Sequence, residues 1–360
     1  MFLCGDVMTG RGIDQIMPYP SDPILYESYV KDARHYVTLA EEVNGSIPRP
    51  VEFDYIWGNA LPEMLKADVR IINLETSITR SDRPYDKGIN YRMHPNNTDL
   101  LKVAGVNCCS LANNHVLDWG AEGLLETIKS LGEAGIGYSG AGQNDIEAKE
   151  PCILNTNGKG RVLVFSLGLI SSGIPREWGA SHSTTGINLL TDFSRTSIQA
   201  VRINVEKYLQ PGDIVVASIH WGGNWGYEIS NLFRNLAHNL IDLCHVDVIH
   251  GHSSHHVMGI EVYKKRPIIY GCGDFLNDYE GISGKRSFRG DLGLMYFVTT
   301  NPETGELESL RLVPTQIKRM QITDPDIKDK NWMYEILNRE SRVFSTSFQQ
   351  AHDKSLVAVW

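Results

Sequence analysis

Five short apolar runs, each of strand length, stop at carboxylate, amide or imidazole side chains. They end at Gly5-Asp6, Asn73-Leu74-Glu75, Asn113-Asn114-His115, His220 and the segment His250-Gly251-His252-Ser253-Ser254-His255-His256. This pattern constrains the fold more than any other feature of the 360 residues. Between the runs lie segments of helical period, such as 121–134, with Leu124, Leu125, Ile128 and Leu131 on one face. Hairpins follow, turning at Lys264-Lys265 and around Asn301-Pro302-Glu303. The order predicts an α/β fold: two packed mixed β-sheets flanked by helices. In open α/β sheets the carboxyl ends of the strands converge on one crevice, so the five polar clusters are expected to meet.

Strands are predicted at 69–72, 106–111, 161–167, 213–219 and 246–249, the third pairing back through a turn at Asn157-Gly158. Helices are predicted at 194–209, 229–243 and 331–349. Residues 18–50 carry Tyr and Pro without a period. They read as part of an insertion at about 18–60 lying over the site. The chain shows no linker, which leaves one domain over 1–320 and a C-terminal helical extension over 321–360.

A net charge of -9 offers no basic face for phosphate neutralisation, so general nucleic-acid binding is not expected. A small anionic or polymeric substrate stays compatible, because a metal ion can supply local positive charge. The six cysteines form no Cys-x-x-Cys pair and mostly sit in apolar runs, as reduced buried thiols do. The chain has no apolar stretch near the ~20 residues of a membrane helix and no visible secretory signal, and the expected location is the cytoplasm.

Carboxylate, amide and imidazole groups at one crevice are oxygen and nitrogen donors suited to Mn, Zn or Fe. Their number exceeds the needs of one ion, so two divalent ions are expected. Each cluster also has a plainer reading. Gly5-Asp6 suits a turn, Asn73 a helix cap, Asn113-Asn114 left-handed turn positions, and His220 a packed core. Four histidines among the seven residues 250–256 do not suit a solvated loop, and there the metal reading prevails. No Gly-x-Ser-x-Gly nucleophile elbow is present. Gly140-Ala141-Gly142 opens no dinucleotide-binding unit, and Gly158-Lys159-Gly160 lacks phosphate-loop spacing.

At these residues the sequence resembles the CapA family of capsule, or poly-γ-glutamate, synthesis proteins, itself similar to the calcineurin-like metallophosphoesterases. The matching pieces are Gly5-Asp6-Val7-Met8 with Arg11, Asn73-Leu74-Glu75-Thr76, and Ser110 to His115 with Asp118 and Gly120. His220-Trp221-Gly222, Gly251 to His256, Ile260-Glu261 and Tyr270 to Phe275 continue the match. The resemblance implies a two-sheet sandwich flanked by helices. It implies that Asp6, Asn114, His220 and His252 ligate metal, that Glu75 replaces a bridging aspartate, and that His255 rather than His256 partners His252. It places His115, its ring oriented by Asp118, beside the scissile bond as acid or oxyanion stabiliser. Arg11 then either holds a substrate oxyanion or makes a structural salt bridge. Three departures stand out: Met8 where the phosphoesterases place histidine, Ser253-Ser254 between the last histidines, and Asp274 where the family carries Asn.

These expectations amount to a metal-dependent hydrolase, of a phosphoester first and of a γ-glutamyl or cell-wall amide second. The alternative from another class is a non-catalytic accessory protein that binds an anionic polymer or a capsule-synthase partner.

Overall fold

Period-two alternation along the strands builds the layers. In the computed structural model, which describes residues 1–156, 158–282 and 286–360, Leu3 of strand Phe2–Val7 points opposite to Phe2 and Cys4. Val162 and Val164 of strand Arg161–Leu169 likewise point opposite to Leu163 and Phe165. Leu3, Ile71 and Cys108 from one sheet pack against Val162, Val164, Val216 and Val248 from the other. The outer face of the first sheet (Phe2, Cys4, Ile72) packs on Leu124 and Leu131 of helix Gly120–Glu133 and on Tyr36 and Val37 of helix Arg34–Asn44. The outer face of the second (Leu163, Val215, Ile249) packs on helices Arg195–Glu206 and Asn231–Cys244. In the last of these, Leu236, Ala237, Leu240 and Cys244 recur at helical spacing, and Ser230 caps the start by accepting from the Phe233 amide. The result is the expected sandwich of two mixed sheets flanked by helices.

Among the described residues the first sheet has ten strands. Its main path runs Ser347–Gln350, Leu356–Val359, Leu307–Lys318, Leu292–Thr300, Phe2–Val7, Arg70–Leu74, Cys108–Ser110, Gly137–Ser139, and Asp274–Leu276 pairs in parallel with Phe2–Val7. The second has seven strands, centred on Arg161–Leu169, Asp213–His220 and Val248–His252 in parallel. Phe2–Val7, Arg70–Leu74 and Cys108–Ser110 are parallel as well, so both sheets deliver carboxyl ends to the same rim.

Two expectations are corrected. The helix read over 331–349 is Ile327–Ser341; the left-handed Ser345 then turns the chain into two strands that extend the first sheet. Within the two strands Phe348, Leu356 and Ala358 are buried and the other residues exposed or half-buried, a period-two pattern, so the tail is not a helical extension. The insertion, read without period, holds the eleven-residue helix Arg34–Asn44. The predicted turn residue Asn157 lies outside the described residues, though Cys152–Asn155 does pair antiparallel with Arg161–Leu169. No helix among the described residues is long and apolar enough to cross a membrane.

Candidate metal centre

Close backbone approach creates the site. Asp6 stands in register with Asn73 on one side and Asp274 on the other. A methyl group on Gly5 would fall 1.6 Å from the Gly273 carbonyl oxygen, so only glycine lets these strands meet. The Asp6 amide donates to that carbonyl at 3.1 Å, which brings two carboxylates side by side. In the facing sheet His220 is in register with His252. Ser253, at φ 103, turns its amide to Asp6 Oδ2 at 3.3 Å.

Two groups of side chains can each surround an ion: Asp6, His220 and His252, and Asp6, His255 and Asp274. Within each, the ligand atoms lie within 4.8 Å of one another, and Asp6 belongs to both. The surroundings fix each donor. Asn73 Nδ2 donates to Asp6 Oδ1 at 2.7 Å, and Asn277 Nδ2 to Asp274 Oδ2 at 2.7 Å. His252 Nε2 meets Ser218 Oγ at 3.0 Å, and the Nδ1 atoms of His220 and His252 lie 2.8 Å apart. His220 Nε2 is 3.0 Å from Asn114 Oδ1. His255 spans Asp274 Oδ1 at 2.9 Å and Asn224 at 3.0 Å.

Burial dominates the electrostatics. It pushes the Asp6 carboxyl up to about 7, with the neighbouring Asp274 adding to the rise, and pushes Glu75 well above the carboxylate range. The same burial holds His220 and His252 well below the imidazole range, leaving them neutral with free lone pairs. Carboxyls driven to keep protons and imidazoles driven to lose them have one common remedy, a divalent cation. The Asp, Asn and His donors therefore fit the expected ion.

Beside the ligands, His115 Nδ1 lies 2.7 Å from Asp118 Oδ2, which also accepts from the Tyr91 amide at 2.6 Å. Lys87 Nζ stands 2.6 Å from Asp118 Oδ1 and donates to the Asn114 carbonyl. The Tyr91 ring stacks on the His115 ring at 3.8 Å. His115 Nε2 is 4.0 Å from Glu75 Oε1, and burial lowers the imidazole to about 4. Asn113 organises this turn: Oδ1 accepts from the His115 and Val116 amides, and Nδ2 donates to Asn73 and Leu74.

The profile of the family described as bacterial capsule synthesis protein PGA_cap matches residues 1–279. The chain belongs to the PGA_cap family. It is similar to the "Probable polyglutamine synthesis accessory protein" of Mycobacterium tuberculosis strain H37Rv, 42% identical over 365 residues, covering 100% of this chain and 95% of the relative. The "PGA biosynthesis protein CapA" of Bacillus subtilis strain 168 is 26% identical, covering 88% and 81%. The "Capsule biosynthesis protein CapA" of Bacillus anthracis is 28% identical over 229 residues, covering 62% and 54%.

Within this PGA_cap chain the structure draws Asp6, Asn114, His115, Asp118, His220, His252 and His255 to one rim. His256 is turned away: its Nδ1 meets the Val257 carbonyl and its Nε2 accepts from the Gly226 amide. Glu75 lies beside His115 and outside both ligand groups; the carboxylate common to the two is Asp6. Arg11 is a buried structural ion pair. Its Nε and Nη2 engage Asp278, and its Nη1 donates to Glu27 at 2.8 Å and Tyr36 at 3.0 Å, so the oxyanion-holding alternative drops. Sequence reasoning named Asp274 without a role and did not single out Lys87 or Asn224. Asp274 carries the one available signal, a Gly-Asp pair matching Gly5-Asp6.

Proposed function

We propose that this chain is a metal-dependent hydrolase of a phosphoester, serving the synthesis of an anionic capsule-type polymer such as poly-γ-glutamate. The observation that supports it most is the pair of ligand groups sharing Asp6, with His115 and Asp118 at their edge. Asp6, His220 and His252 would hold one ion, and Asp6, His255 and Asp274 the other, with the Asn114 amide oxygen beside the first. Such ions, when bound, lower the pKa of water toward 7 and polarise a phosphoryl oxygen.

The chain's own residues handle the proton. Asp118 accepts the Nδ1 proton of His115, which turns the Nε2 lone pair toward the centre. Nε2 takes up a proton from solvent and passes it to the leaving oxygen, which departs as the alcohol. Glu75, its carboxyl held above the ordinary range by burial, stands 4.0 Å from that nitrogen. Tyr91 covers one face of the imidazole and fixes its plane.

The test is an assay of the Mn²⁺- or Zn²⁺-loaded protein on phosphomonoesters and phosphodiesters, with γ-glutamyl amides in parallel. The expected outcome is phosphoester turnover that falls about 10²–10⁴-fold in His115→Ala at unchanged metal content. A fully loaded protein that cleaves only amides would move the activity to the amidase reading. The word accessory in the name of the Mycobacterium tuberculosis relative favours a second role, for which we propose binding of the polymer or of a synthase partner. Loaded protein that turns over nothing yet retains poly-γ-glutamate would establish that role and remove the hydrolase.

A further inference from the structure

Two phenols lie across the gap between the two imidazoles at the edges of the centre. The Tyr91 ring stacks on His115 at 3.8 Å with the planes 15° apart. The Tyr279 ring stands edge-on to His255 at 5.5 Å and 89°. Their hydroxyl oxygens are 2.7 Å apart, so one donates to the other. Beneath them the Arg11 guanidinium lies 4.8 Å from the Tyr91 ring centre and 5.5 Å from that of Tyr279. Asp278, next to Tyr279 in sequence, holds that guanidinium, and Asn277 holds Asp274. One short segment thus sets a ligand, the buried cation and the phenol together.

The proton count gives the pair a use. Two hydroxyls carry two protons, and their mutual hydrogen bond consumes one. Neither hydroxyl has another partner among the described residues. Tyr91 is 3% exposed, whereas Tyr279 is half-buried. Assigning the shared proton to Tyr91, the more enclosed ring, leaves the spare one on Tyr279. We propose that the Tyr279 hydroxyl, with Tyr91 donating to it from behind, is a substrate-binding group that donates a hydrogen bond to a phosphoryl oxygen at the centre. The assignment rests on the phosphoester reading. It replaces Arg11 as the oxyanion partner: the arginine stays internal, under the rings, and the paired hydroxyls lie between rings packed on His115 and His255.

The experiment is calorimetric titration of inorganic phosphate into the full-length Mn²⁺-loaded protein, with metal content measured on each sample. Tyr279→Phe keeps the ring against His255 and removes only the hydroxyl. It is expected to weaken phosphate binding about 10–100-fold, the loss of one hydrogen bond to a charged group, with metal content unchanged. Tyr91→Phe leaves the outer donor in place and is expected to lose only a few-fold, which separates the two hydroxyls if either variant folds poorly. Equal phosphate affinity in wild type and Tyr279→Phe overturns the proposal and leaves the hydrolase standing. Loss of metal in Tyr279→Phe overturns it in favour of a structural role. Loaded wild type that binds no phosphate overturns it together with the phosphoester reading.

Discussion

Asp6 is the one side chain common to both ligand groups, whereas Glu75 faces His115 from outside them. Asp6→Ala should therefore remove nearly all bound metal, and Glu75→Ala should weaken binding by about 10–100-fold, as a supporting group does. Elemental analysis of the two variants decides the matter; equal metal loss would return the bridging role to Glu75. Arg11→Met leaves Asp278 and Glu27 buried without their cation and should lower stability by about 3–5 kcal/mol in urea unfolding. A stable variant with a raised KM would make Arg11 a substrate residue after all. The difference between these residues shows what a sequence can carry. Asp6, His220 and His252 were legible because each ends an apolar run. Asp274 was not, because its strand is three residues long and shows no alternation. Lys87 sits in a segment without period. The fate of Arg11 depends on partners 16 and 267 residues away, which no local pattern reveals.

At the scale of elements, the centre depends on how closely Phe2–Val7 passes the turn before Asp274–Leu276. Gly5→Ala would drive a methyl group into the Gly273 carbonyl and push the strands carrying Asp6 and Asp274 apart. The expected cost is about 1–3 kcal/mol or more, together with weaker metal binding. Chemical unfolding and metal titration of the same variant test both; unchanged values in the two would show that the strands can separate without harm. The central strands and flanking helices were legible from period alone, because one-sided burial writes itself into the sequence as period 2 or 3.6. The final strands were not. Ser347–Gln350 places a single buried Phe348 among polar residues, which in isolation looks like a helix continuing.

For the whole molecule, metal and protons compete for the same buried groups. A carboxyl whose folded pKa is raised stabilises the fold below its unfolded pKa and loses that contribution as pH rises through the folded value. For Asp6 that window runs from about 4 to about 7, and for Glu75 it extends further upward. The buried neutral imidazoles act oppositely: His115 and His250 add stability as pH rises from about 4 to 6.5, and His220 and His252, held well below the imidazole range, act in the same direction. Above pH 6.5 the carboxyl contribution goes on falling, joined by that of His255, whose imidazole is held above its usual range by Asp274 despite burial. Chelated protein should thus lose thermal stability between pH 6.5 and 8, while Mn²⁺-loaded protein, its carboxyl protons displaced, should hold it. Parallel melting curves in the two forms would contradict the linkage. The most direct test of the metal centre is elemental analysis of protein purified without chelator and then incubated with Mn²⁺ or Zn²⁺. Between one and two equivalents of transition metal are expected, released by Asp6→Ala. Less than about a tenth of an equivalent in wild type, the level of adventitious binding, would contradict it.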